Sequence, residues 1–372
     1  MIYKDFGTTG KKVSAIGFGG MRFLPDEYKQ DVQISARLVL EAAEKGVNFF
    51  DTAPGYCSDK SEIIMGEAFK QLKYGDFYVS TKCGLWNAKD ADGARRMIDK
   101  SLERLNVPKI TFYFMWCVKN LGEYRQMTAK GGIFDGIYKA YEEGLIEHIC
   151  CSTHANGDEI TEIIDDGRVE GIMLGYNAIN FAYRRKGIQA CGAANKGVVV
   201  MNPLGGGIIP EFEKHFEFLK NDGDDNIAVS AMKFLVAHDE ITVTLPGIGT
   251  SQHLDEAIAA TKNLPVVDDA YVESLAKQLN QKLDTLCTGC AYCDECPLGV
   301  EVPKLLDSFN HAILSGGVMK PVMDKLRNHW GVSAESANKC NGCGKCVKLC
   351  TQKLPIIERL KEIGSYTPPT TL

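Results

Sequence analysis

Hydrophobic positions in the first 265 residues come in two alternating kinds. Short, nearly continuous apolar runs recur at 47–50, 77–81, 111–115, 146–151, 171–177, 198–201 and 242–245. Between and after them, over 32–45, 62–73, 91–105, 134–143, 157–166, 184–195, 226–237 and 251–261, apolar residues fall three and four apart. The first kind reads as strands buried on both faces, the second as helices with one buried stripe. Gly, Pro, Asn or Asp bounds each segment. At the start, Gly7-Thr8-Thr9-Gly10 sits between two apolar stretches and predicts a hairpin, followed by a first strand over 14–20. Eight strands alternating with eight helices predict an α/β fold, a parallel sheet closed into a (β/α)8 TIM barrel. The alternative is an open doubly wound sheet. No Gly-x-Gly-x-x-Gly opens a helix after the first strand, and Gly17-Phe18-Gly19-Gly20 lacks that spacing.

Beyond residue 265 the pattern changes. Residues 266–284 are polar and helical and read as a bridge. Residues 285–372 form a second, small domain in which two cysteine runs flank a helical middle, 304–314 and 318–328. The first run is Cys287-x2-Cys290-x2-Cys293-x2-Cys296-Pro297, the second Cys340-x2-Cys343-x2-Cys346-x3-Cys350. Three thiolates two residues apart wrap one iron–sulfur cubane, and a fourth from the other run often completes the partner cluster. The expectation is two [4Fe–4S] clusters: Cys287, Cys290, Cys293 and Cys350 on one, Cys340, Cys343, Cys346 and Cys296 on the other. Zinc would need pairs of ligands and not runs of four. The helical middle makes this domain resemble α-helical ferredoxins. Lys339, Lys345, Lys348 and Lys353 lie around the second run, as a solvated face or a landing point for an acidic electron donor such as a ferredoxin.

Composition narrows the classes. Of 372 residues, 45% are hydrophobic and 24% charged, as in ordinary globular proteins. The net charge of −6 without basic runs argues against nucleic acid. No apolar run approaches the ~20 residues of a membrane span, and no signal peptide is visible. With 14 cysteines, that predicts metal binding in a cytoplasmic, anaerobic setting and not disulfides.

The candidate chemistry gathers at the strand ends. Asp51-Thr52-Ala53-Pro54-Gly55-Tyr56 follows one apolar run, and Lys82 ends the next. An acid, a phenol and a lysine at the mouth can build a proton donor, the ammonium lowering the tyrosine's pKa and the carboxylate holding the lysine. Asp-x-Ala-x-x-Tyr followed by Ser-Thr-Lys resembles the aldo-keto reductases over roughly residues 1–265. The resemblance implies Tyr56 as general acid toward a small-molecule carbonyl or activated C=C, with hydride from a nicotinamide. It also implies cofactor contacts at Gly20, Met21, Ser152, Pro203, Leu204, Gly205, Gly247 and Thr250. The family's usual histidine after the fourth strand is replaced by Trp116, which can orient an oxygen but cannot relay a proton, and which suits a flat or conjugated substrate. The basic residues for an adenosine 2′-phosphate are missing: Gly247 stands where lysine is common and His253 where arginine is usual. NADH, NADPH or no nicotinamide at all therefore stay open. Strand alternation sends Cys83 and Cys117 outward against helices, and Cys57 is the one thiol to watch for reactivity.

Three readings follow. The barrel reduces its substrate by hydride with the clusters apart; or the clusters feed single electrons to a barrel-bound substrate; or the chain is an electron-transfer subunit whose barrel only binds a ligand.

Overall fold

The computed structural model describes residues 1–179, 181–220, 222–283, 285–287, 292–350 and 353–367. The chain begins with an antiparallel hairpin, β1 (Tyr3–Asp5) and β2 (Lys12–Ser14). Eight strands follow: β3 (Phe18–Gly19), β4 (Phe49–Asp51), β5 (Tyr78–Cys83), β6 (Ile110–Val118), β7 (Ile146–Thr153), β8 (Gly171–Gly175), β9 (Gly197–Met201) and β10 (Val243–Leu245). They pair in parallel, each with the next. Parallel bridges from Ile16 to Thr244 and from Gly19 to Gly247 bring the first strand beside the last. The result is a (β/α)8 barrel with a helix after each strand.

The hairpin decides which end of the barrel can do chemistry. Phe6, fully buried, plugs the bottom, its ring centroid 4.2 Å from that of Phe112. A β-carbon at position 197 would stand 2.2 Å from the Phe6 ring, and one at position 171 would stand 2.5 Å from it. Both positions are glycine, which leaves the ring its place. Phe49, Phe112, Phe114, Met173, Val199 and Val243 fill the interior above the plug. The open end is the one where the strands stop.

Most strand limits shift by one to three residues from the sequence pattern, and two differ further in kind. The run 14–20 is divided, because Ser14 pairs with Tyr3 in the hairpin and its amide donates to the Asn48 side chain, 2.7 Å. β6 continues past Met115 through an irregularity between Met115 and Val118. An unforeseen helix, Leu121–Thr128, begins just beyond, capped by the Asn120 side chain.

The chain divides into two compact units, Met1–Ile209 with Leu219–Asp268, and Pro210–Phe218 with Asp269–Leu372. In the second unit the helices Val302–Leu314, Lys320–Lys325 and Ile356–Ser365 bury Leu305, Leu306, Phe309, Val322, Ile356 and Leu360 in one core. Cys293 and Cys350 lie inside that core, and Cys287, Cys296, Cys340 and Cys346 pack against it. Among the described residues no helix is long and apolar enough to cross a membrane.

Candidate active site and cysteine cavity

Asp51 is the last residue of β4, and Lys82 lies near the end of β5. Both are almost fully buried, and the Lys82 Nζ donates to both carboxylate oxygens of Asp51 at 2.7 Å. The Ser80 hydroxyl adds a third bond to the same carboxylate, also 2.7 Å. Burial pulls the Lys82 ammonium below its ordinary range, and the Asp51 charge and hydrogen bonds oppose that.

Tyr56 reaches this pair from a strained turn. Gly55 has φ 85°, and Cys57, Ser58 and Asp59 follow at 52°, 54° and 67°. Three successive non-glycine residues in the left-handed region cost roughly 1–2 kcal/mol each. Arg104 holds the turn. Its guanidinium grips both Asp59 carboxylate oxygens, at 2.8 and 2.5 Å, while the Gly55 amide donates to Asp59 at 3.0 Å. Arg104 also reaches the buried Glu62, 3.3 Å.

So held, the Tyr56 ring has the Lys82 Nζ 5.4 Å from its centroid. Trp116 meets it edge-on, centroids 5.6 Å apart at 84°. Trp86 in turn packs on Trp116 at 4.6 Å, with more than half of its own surface exposed. These three rings form an aromatic corner beside the Asp51–Lys82 pair. Burial is the largest influence on the Tyr56 phenol and pushes it up; the Asp51 charge, then Cys117 and Cys57, push it further. This overturns the expected lowering by Lys82, whose charge is already paired with Asp51 while the phenol sits largely out of water.

Cys83 is buried, as strand alternation requires. Cys117 does not follow simple strand alternation. The β6 irregularity places it at φ 59°, half-buried and near enough to influence Tyr56, because a left-handed residue interrupts the alternation. Cys57 is half-buried, its Sγ 3.5 Å from the Gly20 carbonyl, and burial pushes its thiol up, away from the reactive range.

His154, just past β7, is a pH-sensitive element of the rim. Burial, then Arg184 and Lys119, lower its pKa from 6.5 to about 4. The unfolded chain therefore binds the extra proton between those values. Stability is fully present above pH 6.5 and falls as pH drops toward 4, by on the order of 2–3 kcal/mol. Urea midpoints measured at pH 7 and pH 4.5 should differ by less in His154→Gln than in the parent; an unchanged difference would remove this residue from the account.

In the second unit, one cavity is lined by Cys296, Cys340, Cys343 and Cys346, with Pro297 and Lys345. The thiol that ends the first run thus lies beside three of the second. Among the described residues no three potential ligands converge closely enough to share a single ion. Four thiols ringed round a cavity suit a cubane, in which each thiolate takes its own iron. Cys293 and Cys350 are buried in the core of this unit, with Cys287 packed against it, and Cys287 and Cys350 both lie near enough to Arg359 to act on its charge. The Asn310 side chain clamps the Cys287 backbone, 2.7 Å from its nitrogen and 2.9 Å from its oxygen, and the Leu354 amide donates to the Cys350 Sγ at 3.4 Å. Cys290 lies outside the described residues.

Known proteins place both units. The sequence profile of the Aldo/keto reductase family matches residues 15–278, most of the chain. The chain belongs to this family. A 4Fe-4S dicluster domain profile matches residues 286–355. Among curated relatives, an L-galactose dehydrogenase of Arabidopsis thaliana is 28% identical over 290 residues, 70% of this chain and 88% of the relative. An NADH-specific methylglyoxal reductase of Escherichia coli strain K12 is 26% identical over 196 residues, 48% and 59% of the two chains. The holo form of aldo-keto reductase AKR11C1 from Bacillus halodurans shares the fold, with a TM-score of 0.63 at 18% identity, over 75% of this chain and 96% of its own.

The chain is thus an oxidoreductase of aldo-keto reductase type with an iron–sulfur domain. The positions expected to meet a dinucleotide in this aldo-keto reductase lie as follows. The loop after β9 takes Asn202, Gly205, Gly206 and Gly207 through positive φ beside Pro203 and Leu204, a tight turn in which the Gly205 amide donates to the Asn202 carbonyl and the Gly207 amide to the Leu204 carbonyl, both at 3.1 Å. Thr250 caps the helix Ser251–Ala259 by accepting from the His253 amide, 3.2 Å. Gly20 is tied by its amide to the Asp51 carbonyl at 2.8 Å, and Met21 beside it is exposed. Ser152 is buried in β7, paired in register with Met173, whose sulfur stands 4.0 Å from the Lys82 Nζ. Arg22 went unnoticed in the sequence. A β-carbon at position 247 would lie 2.3 Å from the Arg22 Cγ, so a side chain there would have to displace Arg22. Arg22 packs its side-chain stem against the backbone of Gly247. Trp86 and Arg104 were missed as well; neither belongs to a spacing pattern.

Proposed function

We propose that this aldo-keto reductase reduces a carbonyl, or a C=C conjugated to one, on a small and flat substrate, with Tyr56 as proton donor. The observation that carries the reading is the placing of the Tyr56 ring against Lys82, itself pinned by Asp51. A bound nicotinamide would supply the hydride, which with the Tyr56 proton completes the reduction; two [4Fe–4S] clusters, carriers of single electrons, would stand apart from that step. Gly20, Met21, Ser152, the 203–207 loop and Thr250 would hold the nicotinamide; the Arg22 charge stands in for the missing lysine at 247. The relative named as an NADH-specific methylglyoxal reductase supports NADH and a small carbonyl.

The chain's own residues divide the work. Burial keeps the Tyr56 phenol protonated, so it has a proton to give when negative charge grows on a substrate oxygen. Lys82 places positive charge beside the same oxygen. Trp116 and Trp86 offer ring faces to a planar substrate, and the Trp116 N–H can orient its oxygen. In the second unit, Cys296, Cys340, Cys343 and Cys346 would hold one cluster, and Cys287, Cys290, Cys293 and Cys350 the other.

The dicluster match favours a second reading, in which electrons from a ferredoxin-like donor reach the barrel singly and Tyr56 supplies protons. Anaerobic titration separates the two. The expected result is that NADH or NADPH is consumed only when a carbonyl or enone is added, with cluster absorbance unchanged. Bleaching of the clusters by nicotinamide alone would show the halves to be wired together. Absence of nicotinamide binding, with substrate reduced by a chemically reduced ferredoxin, would establish the second reading in place of the first.

A further inference from the structure

One buried charge in the second unit has no role in the proposed reduction. Arg359, on the helix Ile356–Ser365, is only 5% exposed. Its Nη2 donates to the Thr285 carbonyl at 2.7 Å, two residues before Cys287. Its guanidinium lies over the Phe309 ring, 5.4 Å to the centroid, and Phe309 adjoins the Asn310 that clamps Cys287. Among the described residues the buried Nη1 has no hydrogen-bond partner. The thiols that act on this charge are those of Cys287 and Cys350.

A guanidinium N–H that is buried and unpaired is costly unless something nearby accepts it. Thiolate and sulfide sulfurs are such acceptors, and hydrogen bonds and charge beside them set a cluster's reduction potential. The cavity of Cys296, Cys340, Cys343 and Cys346 has no arginine among its lining residues; its cation is Lys345, half-exposed and paired with Glu295 at 3.3 Å.

We infer that Arg359 donates through its Nη1 to the sulfurs of the cluster held by Cys287, Cys290, Cys293 and Cys350, and selectively raises the potential of that cluster. The inference rests on the two-cluster assignment above. A cluster gains negative charge on reduction, so a fixed cation beside it stabilises the reduced form. Solvent screens this little, because Arg359, Cys293 and Cys350 are buried and Cys287 is partly so. The Arg359 cluster is then the place where an electron entering the domain settles.

The test is a mediated anaerobic redox titration of the full chain, followed by EPR, for the parent, Arg359→Gln and Arg359→Lys, with iron counted in each. In Arg359→Gln one midpoint falls by about 59 mV or more, a tenfold lower ratio of reduced to oxidised cluster at a fixed one-electron poise, while the other stays put. Arg359→Lys keeps the charge and falls less. Full iron with both midpoints unmoved, or both moved together, overturns the inference while leaving the cluster assignment intact. A parent protein with iron for only one cluster overturns the assignment, and the inference with it. If both variants lose a cluster, parent protein labelled with 15N-arginine decides. Nitrogen coupling to one reduced cluster supports the hydrogen bond, and its absence overturns it.

Discussion

Tyr56→Phe lowers kcat for carbonyl or enone reduction by roughly two to four orders of magnitude, the usual contribution of a positioned proton donor. KM and nicotinamide binding change little, because the ring and its packing on Trp116 are kept and only the hydroxyl is lost. Iron content stays the same, since both cysteine runs are in the other unit. The pH dependence follows from the direction of the shift. Burial raises the phenol above its ordinary value near 10, so the donor form is fully present through neutral pH and is depleted only under strongly alkaline conditions. Wild-type kcat should therefore show no alkaline limb up to pH 9. A variant that kept most of its kcat would remove Tyr56 as the acid, and a wild-type limb near pH 7 would point to another donor.

The parts of this site that were legible lie where backbone periodicity carries side chains to a known place. Apolar runs ending at Phe50 and Thr81 mark strand ends, and strand ends in a barrel converge, so Asp51 and Lys82 could be paired on paper. Tyr56 followed because Pro54 and Gly55 announce a turn. What could not be read depends on broken periodicity. Cys117 was sent outward by counting in twos, and the irregularity between Met115 and Val118 invalidates the count. Trp86 lies on an irregular stretch after β5, where no period fixes direction. Arg104 is a surface-type residue at the end of a helix, and its hold on Asp59 spans 45 residues of sequence. The lowering of the Tyr56 pKa was misjudged for a related reason. Sequence shows which charges approach one another, whereas burial depends on everything packed around them. The bottom plug was invisible too: Phe6 looked like one aromatic in a hairpin, and only the glycines at 171 and 197 show how closely it is housed.

Lys82→Met should destabilise the barrel unit by about 3–5 kcal/mol, because removing one partner leaves the other charge buried without compensation. Among the described residues, Asp51 would keep only the Ser80 hydroxyl of its present side-chain donors, in a site almost closed to solvent. The same substitution removes the cation beside Tyr56, so activity falls as well, and a single variant cannot say which loss matters for catalysis. The double variant Asp51→Asn/Lys82→Met can. With neither charge left to bury, it should regain most of the lost stability while staying inactive. Chemical denaturation followed by a probe confined to the barrel unit reads the first quantity, and kcat reads the second. A double variant as unstable as the single one would mean that the pair is held by packing and not by its charges. A double variant that recovered activity along with stability would mean that Lys82 serves only the fold, and the proton donor would then be tuned by burial alone.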